Sequence, residues 1–381
     1  MAIKRCCRGR IAMLLAGTSH RLLASALVQR HQPVLLHSCM QSAITRRAIF
    51  ASTVASSSTV PIASRRGKEL DWLWTTTQHR IPRDLLPRLV AHRGFHNAND
   101  EADTRPLENT LAAYEQAWAS GIRLCECDVA ATRDDRLVLC HDGDYDRLAL
   151  PTMRSVSRRS APVRELELCE VMALTLTSGQ RPPLLEEVLQ SATHIGGAAQ
   201  LVVELKRGYR SAPRLLLRLF DERPELLDRV AVFMSFDRAI VRDLQRRLAA
   251  RAWHGARPEV LLLTVDPRLA PHDHDANVFD ISAAAAKPPD EQAKQLLTAN
   301  EAPDGLRKVV PALDGLYVQF QPEMLLPSGA EAMRRLTSTY TVGVWGYVPH
   351  DDPDDVETAT WMVRECGVSF VNTDLPRSFA R

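Results

Sequence analysis

The chain has 381 residues, 45% hydrophobic and 25% charged, with 48 Lys and Arg against 46 Asp and Glu for a formal charge of +2. That length and balance suit one large α/β domain with an extension, or two modest domains, and they exclude collagen-like, mucin-like and wholly disordered chains. No stretch reaches the roughly 18 to 20 consecutive apolar residues of a membrane-spanning helix.

The charge is unevenly placed. Residues 1–68 hold eleven Lys or Arg and no Asp or Glu, which leaves 37 basic against 46 acidic residues beyond them, a formal −9. Arg5, Arg8, Arg10, Arg21 and Arg30 are spaced among short apolar runs, as in an organellar transit peptide. The expected address is the mitochondrion, with a plastid as the alternative; Arg46-Arg47 before Ala48-Ile49-Phe50 could also serve as a twin-arginine-like signal, and a disordered basic tail would share this composition. Cys6, Cys7 and Cys39 fall in this leader. The other five cysteines show neither a disulfide framework nor zinc-type spacing, so a reducing compartment is expected.

From Glu69 on, short β-branched runs alternate with helical patterns. Strands are expected at 88–92, 124–129, 137–141, 201–206, 230–236, 260–265, 315–320, 341–348 and 368–374. Leu111, Tyr114 and Trp118 form one apolar helical stripe, with Asn109 as the expected N-cap and Gly121 as the stop. Such repetition over about 300 residues favours a closed (β/α)8 TIM barrel across 69–381. Nine runs compete for eight places. Only residues 130–136 separate the second from the third, too few for a parallel crossover of a dozen or more, so 137–141 is expected to return antiparallel and to lift His141 above the C-terminal mouth, where barrel active sites lie. An insertion at about 130–183, after the second strand, is expected over that mouth; helix resumes at Leu184, and 271–280 and 288–311 read as surface loops.

Period-two alternation places Glu126 and Asp128 on one strand face and Cys125, Cys127 and Val129 on the other. Glu204 and Lys206 repeat the pattern. Inward-facing carboxylates a few ångströms apart need positive charge, and three of them on two strand ends suit a hard divalent cation, Ca²⁺ or Mg²⁺. A Glu204–Lys206 salt bridge inside the barrel is the other reading. His92-Arg93-Gly94 ends the first strand, and Arg93 with Lys206 could hold an anion.

Taken together, His92-Arg93-Gly94, Glu108-Asn109-Thr110, Glu126-Cys127-Asp128-Val129, Thr132-Arg133-Asp134, His141-Asp142, Glu204-Leu205-Lys206 and Thr373-Asp374-Leu375-Pro376 resemble the glycerophosphodiester phosphodiesterase family, in order over nearly all of 88–377. The resemblance implies a TIM barrel with a small insertion after the second strand and a divalent cation on Glu126, Asp128 and Glu204. It implies His92 and His141 as acid and base, Arg93 and Lys206 as phosphate contacts, and Glu108 and Trp345 as substrate contacts. A small-molecule phosphodiester, not a nucleic acid, is the expected partner. The implied reaction is hydrolysis of a glycerophosphodiester to glycerol 3-phosphate and an alcohol such as choline or ethanolamine, with lysophospholipids as the alternative substrate and a non-catalytic phosphodiester-binding barrel as the competing class.

The chain departs from the family pattern in three places. Leu107 intervenes between Pro106 and Glu108, the loop 95–107 is long, and Asp135 stands where the hairpin turn usually has Gly. His96 and the group His272, Asp273, His274 and Asp275 read as solvated surface, and 351–355 as an acidic helix N-terminus.

Overall fold

A β-branched strand buried on both faces needs a helix on its outer side, and a chain that supplies strand and helix in turn closes into a ring. The computed structural model describes residues 84–96, 106–152, 156–253, 256–269, 276–286, 313–346 and 356–374, with Pro82, all within the unit Pro61–Arg381. The leader 1–68, the group 272–275, the loop 288–311, the acidic run 351–355 and Leu375-Pro376 lie outside the described residues.

The nine described strands are β1 (Leu89–Ala91), β2 (Leu124–Ala131), β3 (Leu137–Leu139), β4 (Gln200–Leu205), β5 (Val230–Ser235), β6 (Glu259–Thr264), β7 (Gly315–Gln319), β8 (Thr341–Trp345) and β9 (Phe370–Thr373). Eight of them run parallel in the order β1-β2-β4-β5-β6-β7-β8-β9, and β9 returns to pair with β1, which closes the barrel. Helices 111–119, 185–195, 212–222, 238–249, 327–337 and 356–364 cover it. No helix among the described residues is long and apolar enough to cross a membrane.

β3 is the antiparallel return that the short 130–136 connection demanded, with Val129 opposite Leu139 and Ala131 opposite Leu137. Its turn needs one left-handed residue, and Asp135 takes it at φ 62°. The Asp135 amide donates to Thr132 O (3.1 Å), and Thr132 Oγ1 accepts from the Arg136 amide (3.0 Å). An Asp tolerates this conformation better than most residues, so the missing Gly leaves the hairpin intact.

Side-chain alternation builds two apolar layers. The outer one joins Cys125, Cys127, Val203 and Leu205 to helix residues such as Leu189, Leu216 and Phe220. The inner one fills the barrel with Val90, Leu124, Val202, Val232, Met234, Leu261, Leu263 and Tyr317. Tyr317 fits because Gly343 on β8 has no side chain; a Cβ there would lie 2.3 Å from the Tyr317 ring. The Tyr317 hydroxyl donates to Asn372 Oδ1 at 2.5 Å.

Beyond β3 the chain runs through short helices at Val156–Arg159, Val163–Glu165 and Leu168–Met172 before the next long helix starts at Leu185. Tyr145, Leu148, Val163, Val171, Leu174 and Leu176 are buried and continuous with the outer core, which anchors this inserted segment. Two local expectations need correction. Thr110, not Asn109, caps the helix 111–119, accepting from the Ala113 amide. The described end of the loop 271–280 is not all surface: Asn277 and Phe279 are buried, and Val265 bridges to Val278 in parallel, extending the path of β6.

Candidate active site

The barrel's C-terminal mouth opens into a cavity of about 260 Å³. Its charged side is built by β1, β2 and β4 with the β3 hairpin, which contribute His92, Arg93, Glu126, Asp128, His141, Glu204 and Lys206. Trp345 stands on the opposite side with Met234, Phe236 and Leu263. Of the nine residues expected as cation ligands, acid-base pair and substrate contacts, eight line it and Glu108 does not.

Register explains the acidic cluster. Asp128 pairs directly with Glu204 across β2 and β4, and Glu126 is one inward position below Asp128. One oxygen from each of the three carboxylates lies within 4.8 Å of the others. Lys206 Nζ is 3.0 Å from Asp128 Oδ1 and 2.9 Å from Glu204 Oε1, so the expected salt bridge and the carboxylate cluster exist together.

The first loop places the cations. Arg93 adopts φ 53°, a left-handed conformation that costs a non-glycine residue of order 1–3 kcal/mol and clusters at functional sites. The turn aims its amide at Glu126 Oε2 (3.1 Å) and its guanidinium at Glu108 Oε1 (2.9 Å) and Asp128 Oδ2 (3.3 Å). Gly94 follows at φ 81°, where a Cβ would lie 2.8 Å from the Ala113 backbone carbon; only glycine lets the loop press on the helix 111–119.

Both histidines carry a carboxylate on Nδ1. His92 Nδ1 is 2.7 Å from Asp374 Oδ1, and His141 Nδ1 is 2.6 Å from Asp142 Oδ1. His92 Nε2 is left 3.9 Å from Glu126 Oε2. With this geometry, a family model described as the glycerophosphoryl diester phosphodiesterase family matches residues 92–310, a span that takes in His92, Arg93, Glu126, Asp128, His141, Glu204 and Lys206. The chain belongs to the glycerophosphoryl diester phosphodiesterase family.

Among relatives of this family, the chain is 43% identical over 81 residues to a probable glycerophosphodiester phosphodiesterase 1 of Mycobacterium tuberculosis, a stretch that spans 21% of this chain and only 27% of that protein. It is 28% identical over 190 residues to a glycerophosphodiester phosphodiesterase of Bacillus altitudinis, covering 48% of this chain and 68% of the relative. A solved structure, a putative glycerophosphodiester phosphodiesterase from Galdieria sulphuraria, shares the fold with a TM-score of 0.52 at 18% identity, over 78% of this chain and 98% of the other.

Electrostatics in this family member follow from burial and pairing. Burial, with the charge of Asp128 added, pushes the Glu126 carboxyl up to about 8. Burial acts on Asp128 in the same direction, but Lys206 and Arg93 outweigh it and hold Asp128 well below the usual carboxylate range. Burial lowers the His92 imidazole, yet the charge and hydrogen bond of Asp374 outweigh it, so the ring is a stronger base than usual. A crowded trio of buried carboxylates, one of them driven to keep its proton when nothing but protein surrounds it, fits an oxygen-loving divalent cation.

Several site residues make contacts that the sequence did not reveal. Asn109, also left-handed at φ 53°, donates to Asp128 Oδ2 (2.8 Å), while its Oδ1 accepts from Tyr114 Oη (2.7 Å) and the Asp128 amide (3.2 Å). His96 is 6% exposed, not solvated; its Nδ1 is 2.8 Å from His92 O, and its Nε2 lies 3.6 Å from Asp374. Burial lowers its pKa. Both oxygens of Glu108 are taken by arginines, Arg93 and, from the inserted segment, Arg147. The Arg147–Glu108 spacing has no period; only the loop fold joins the two.

Proposed function

We propose that the chain hydrolyses glycerophosphodiesters to glycerol 3-phosphate and an alcohol, with Ca²⁺ or Mg²⁺ held by Glu126, Asp128 and Glu204. The observation that carries this reading is the meeting, in one cavity, of three clustered carboxylates, two carboxylate-paired histidines, Arg93 and Lys206. A divalent cation, when bound, supplies electrostatic stabilisation to charge on the phosphoryl oxygens. The chain's own residues do the rest. Water, or the neighbouring glycerol hydroxyl, attacks phosphorus and gives its proton to His92 Nε2, whose basicity Asp374 supports. The bond from phosphorus to the alcohol oxygen breaks, and His141 Nε2 protonates that oxygen; Asp142 on Nδ1 orients the ring. When the glycerol hydroxyl attacks first, water then opens the cyclic phosphate, and the net products are the same.

Arg93 and Lys206 are pinned by Asp128 and Glu204, so they need little reorganisation to receive an anionic diester. Trp345 is locked by its Nε1, which donates to Thr264 O (3.0 Å) and Tyr317 O (3.1 Å), and it meets Phe236 edge-on. It forms a rigid wall against which the organic part of the substrate rests. We further propose that residues 1–68 act as a mitochondrial address, on the strength of their acid-free, arginine-spaced composition. The function is tested by assaying glycerol 3-phosphate release from a panel of glycerophosphodiesters and lysophospholipids, with added cation and with chelator. Release that requires the cation is expected; no release from any diester overturns the assignment.

A further inference from the structure

Arg147, in the inserted segment, connects two parts of the site without lining the cavity. Its Nη1 and Nη2 donate to both oxygens of Glu108, at 2.8 and 2.6 Å, and its Nε donates to Asp142 Oδ2 at 2.7 Å. Each of these carboxylates holds a cavity residue with an oxygen. Asp142 Oδ1 is 2.6 Å from His141 Nδ1, and Glu108 Oε1 also accepts from Arg93 Nη1 at 2.9 Å. One guanidinium thus fixes the carboxylate behind a histidine and the carboxylate behind the phosphate-facing arginine.

We propose that Arg147 is a positioning residue for the hydrolysis proposed above, on which this inference rests: it sets the ring of His141 through Asp142 and seats Arg93 through Glu108. The physical need differs between the two arms. The Glu108 side chain is 6% exposed, so its charge is confined between two arginines and has no solvent to turn to. His141 and Asp142 are 34% and 32% exposed, so without Arg147 the pair is free to swing outward, and His141 Nε2 loses its aim at the cavity. A planar fork that grips two carboxylates at once is a property of arginine that lysine lacks. The inserted segment, on this account, completes the site by delivering that fork.

The test compares Arg147→Ala, Arg147→Lys, His141→Ala and the double variant His141→Ala/Arg147→Ala in the full chain, with a glycerophosphodiester of an alkyl alcohol and one of nitrophenol. Misplacing a reacting group by about 1 Å costs on the order of 10²-fold in rate, so Arg147→Ala should lose about 10- to 100-fold in kcat with a smaller change in KM. Its dependence on the leaving group should copy that of His141→Ala. The double variant should be slower than His141→Ala by less than Arg147→Ala slows the wild type, because the histidine arm is already gone and only the arm through Glu108 to Arg93 is left to lose. Added guanidinium should restore part of the Arg147→Ala rate, and Arg147→Lys should not match wild type. Should Arg147→Ala fail to fold, Asp142→Asn cuts only the arm to His141 and should show the same leaving-group dependence. Losses that multiply in full in the double variant and ignore the leaving group, or no loss at all, overturn the proposal while leaving the phosphodiesterase reading in place. A wild type that releases no glycerol 3-phosphate overturns both.

Discussion

Glu126→Gln separates a cation site from a purely structural acidic cluster, because the two predict opposite orders of stability. Two carboxylates with oxygens within 4.8 Å of each other repel by at least about 3.5 kcal/mol at an effective dielectric constant of about 20. Glu126 responds by keeping its proton up to about pH 8 when folded, whereas unfolded it ionises near its ordinary value of about 4.3. A carboxyl raised in this way stabilises the fold fully below its unfolded pKa, and that contribution is lost as pH rises through the folded value. At pH 7 in chelator the wild type should therefore be less stable than the uncharged, isosteric Gln variant by about 3.5 kcal/mol, or roughly 5 to 10 °C in Tm. Adding Ca²⁺ or Mg²⁺ should reverse the order. A cation at a thousand times its Kd adds about 4.1 kcal/mol to the wild type, enough to overcome that deficit, and the variant, missing one ligand, should gain far less. Thermal unfolding with and without the cation reads both effects without any substrate. A Gln variant that melts below the wild type in chelator, or equal gains from the cation in both proteins, would refute the reasoning.

His92→Ala and His141→Ala should each lose about 10² to 10⁴ in kcat while keeping the cation-induced rise in Tm; a nitrophenyl diester should rescue His141→Ala but not His92→Ala, and equal rescue would undo the division of acid and base. Burial raises the pKa of Glu108, but the Arg147 hydrogen bond and the charges of Arg93 and Arg147 more than offset it and hold the group below its ordinary value. Its contribution is thus present above about pH 4.3 and lost as pH falls through the depressed value, so in denaturant titrations over this acid range Glu108→Gln should be less stable at neutral pH and lose less on acidification; identical slopes would count against the buried pair. Residues 1–68 fused to a fluorescent reporter should direct it to mitochondria, and diffuse cytosolic fluorescence would exclude the proposed address.

Much of the fold was legible because it rests on periodicity. Alternation in 124–129 and 201–206 is enough to put Glu126, Asp128 and Glu204 inside the barrel and the cysteines outside, and the shortness of 130–136 is enough to turn β3 antiparallel and bring His141 to the mouth. Residues that lie on loops were not legible in the same way. Asn109 and Arg93 owe their contacts to left-handed backbone at φ 53°, which Arg gives no sign of and Asn only tolerates better than most. Asn109 thereby leaves the cap to Thr110 and serves Asp128 instead. His96 is buried because the Gly94 turn folds the loop back to His92 O and Asp374, a closure with no repeat to reveal it. Arg147 lies 39 residues from Glu108 and meets it only through the packing of the inserted segment.

The central claim is that this mouth performs hydrolysis at phosphorus. Turnover of glycerophosphocholine or glycerophosphoethanolamine in ¹⁸O-labelled water, followed by phosphorus NMR, tests it most directly. The account predicts that the label appears in the phosphate of glycerol 3-phosphate and is absent from the released alcohol, with turnover lost on chelation and in His92→Ala. Label in the alcohol, or turnover untouched by both chelator and His92→Ala, would contradict it.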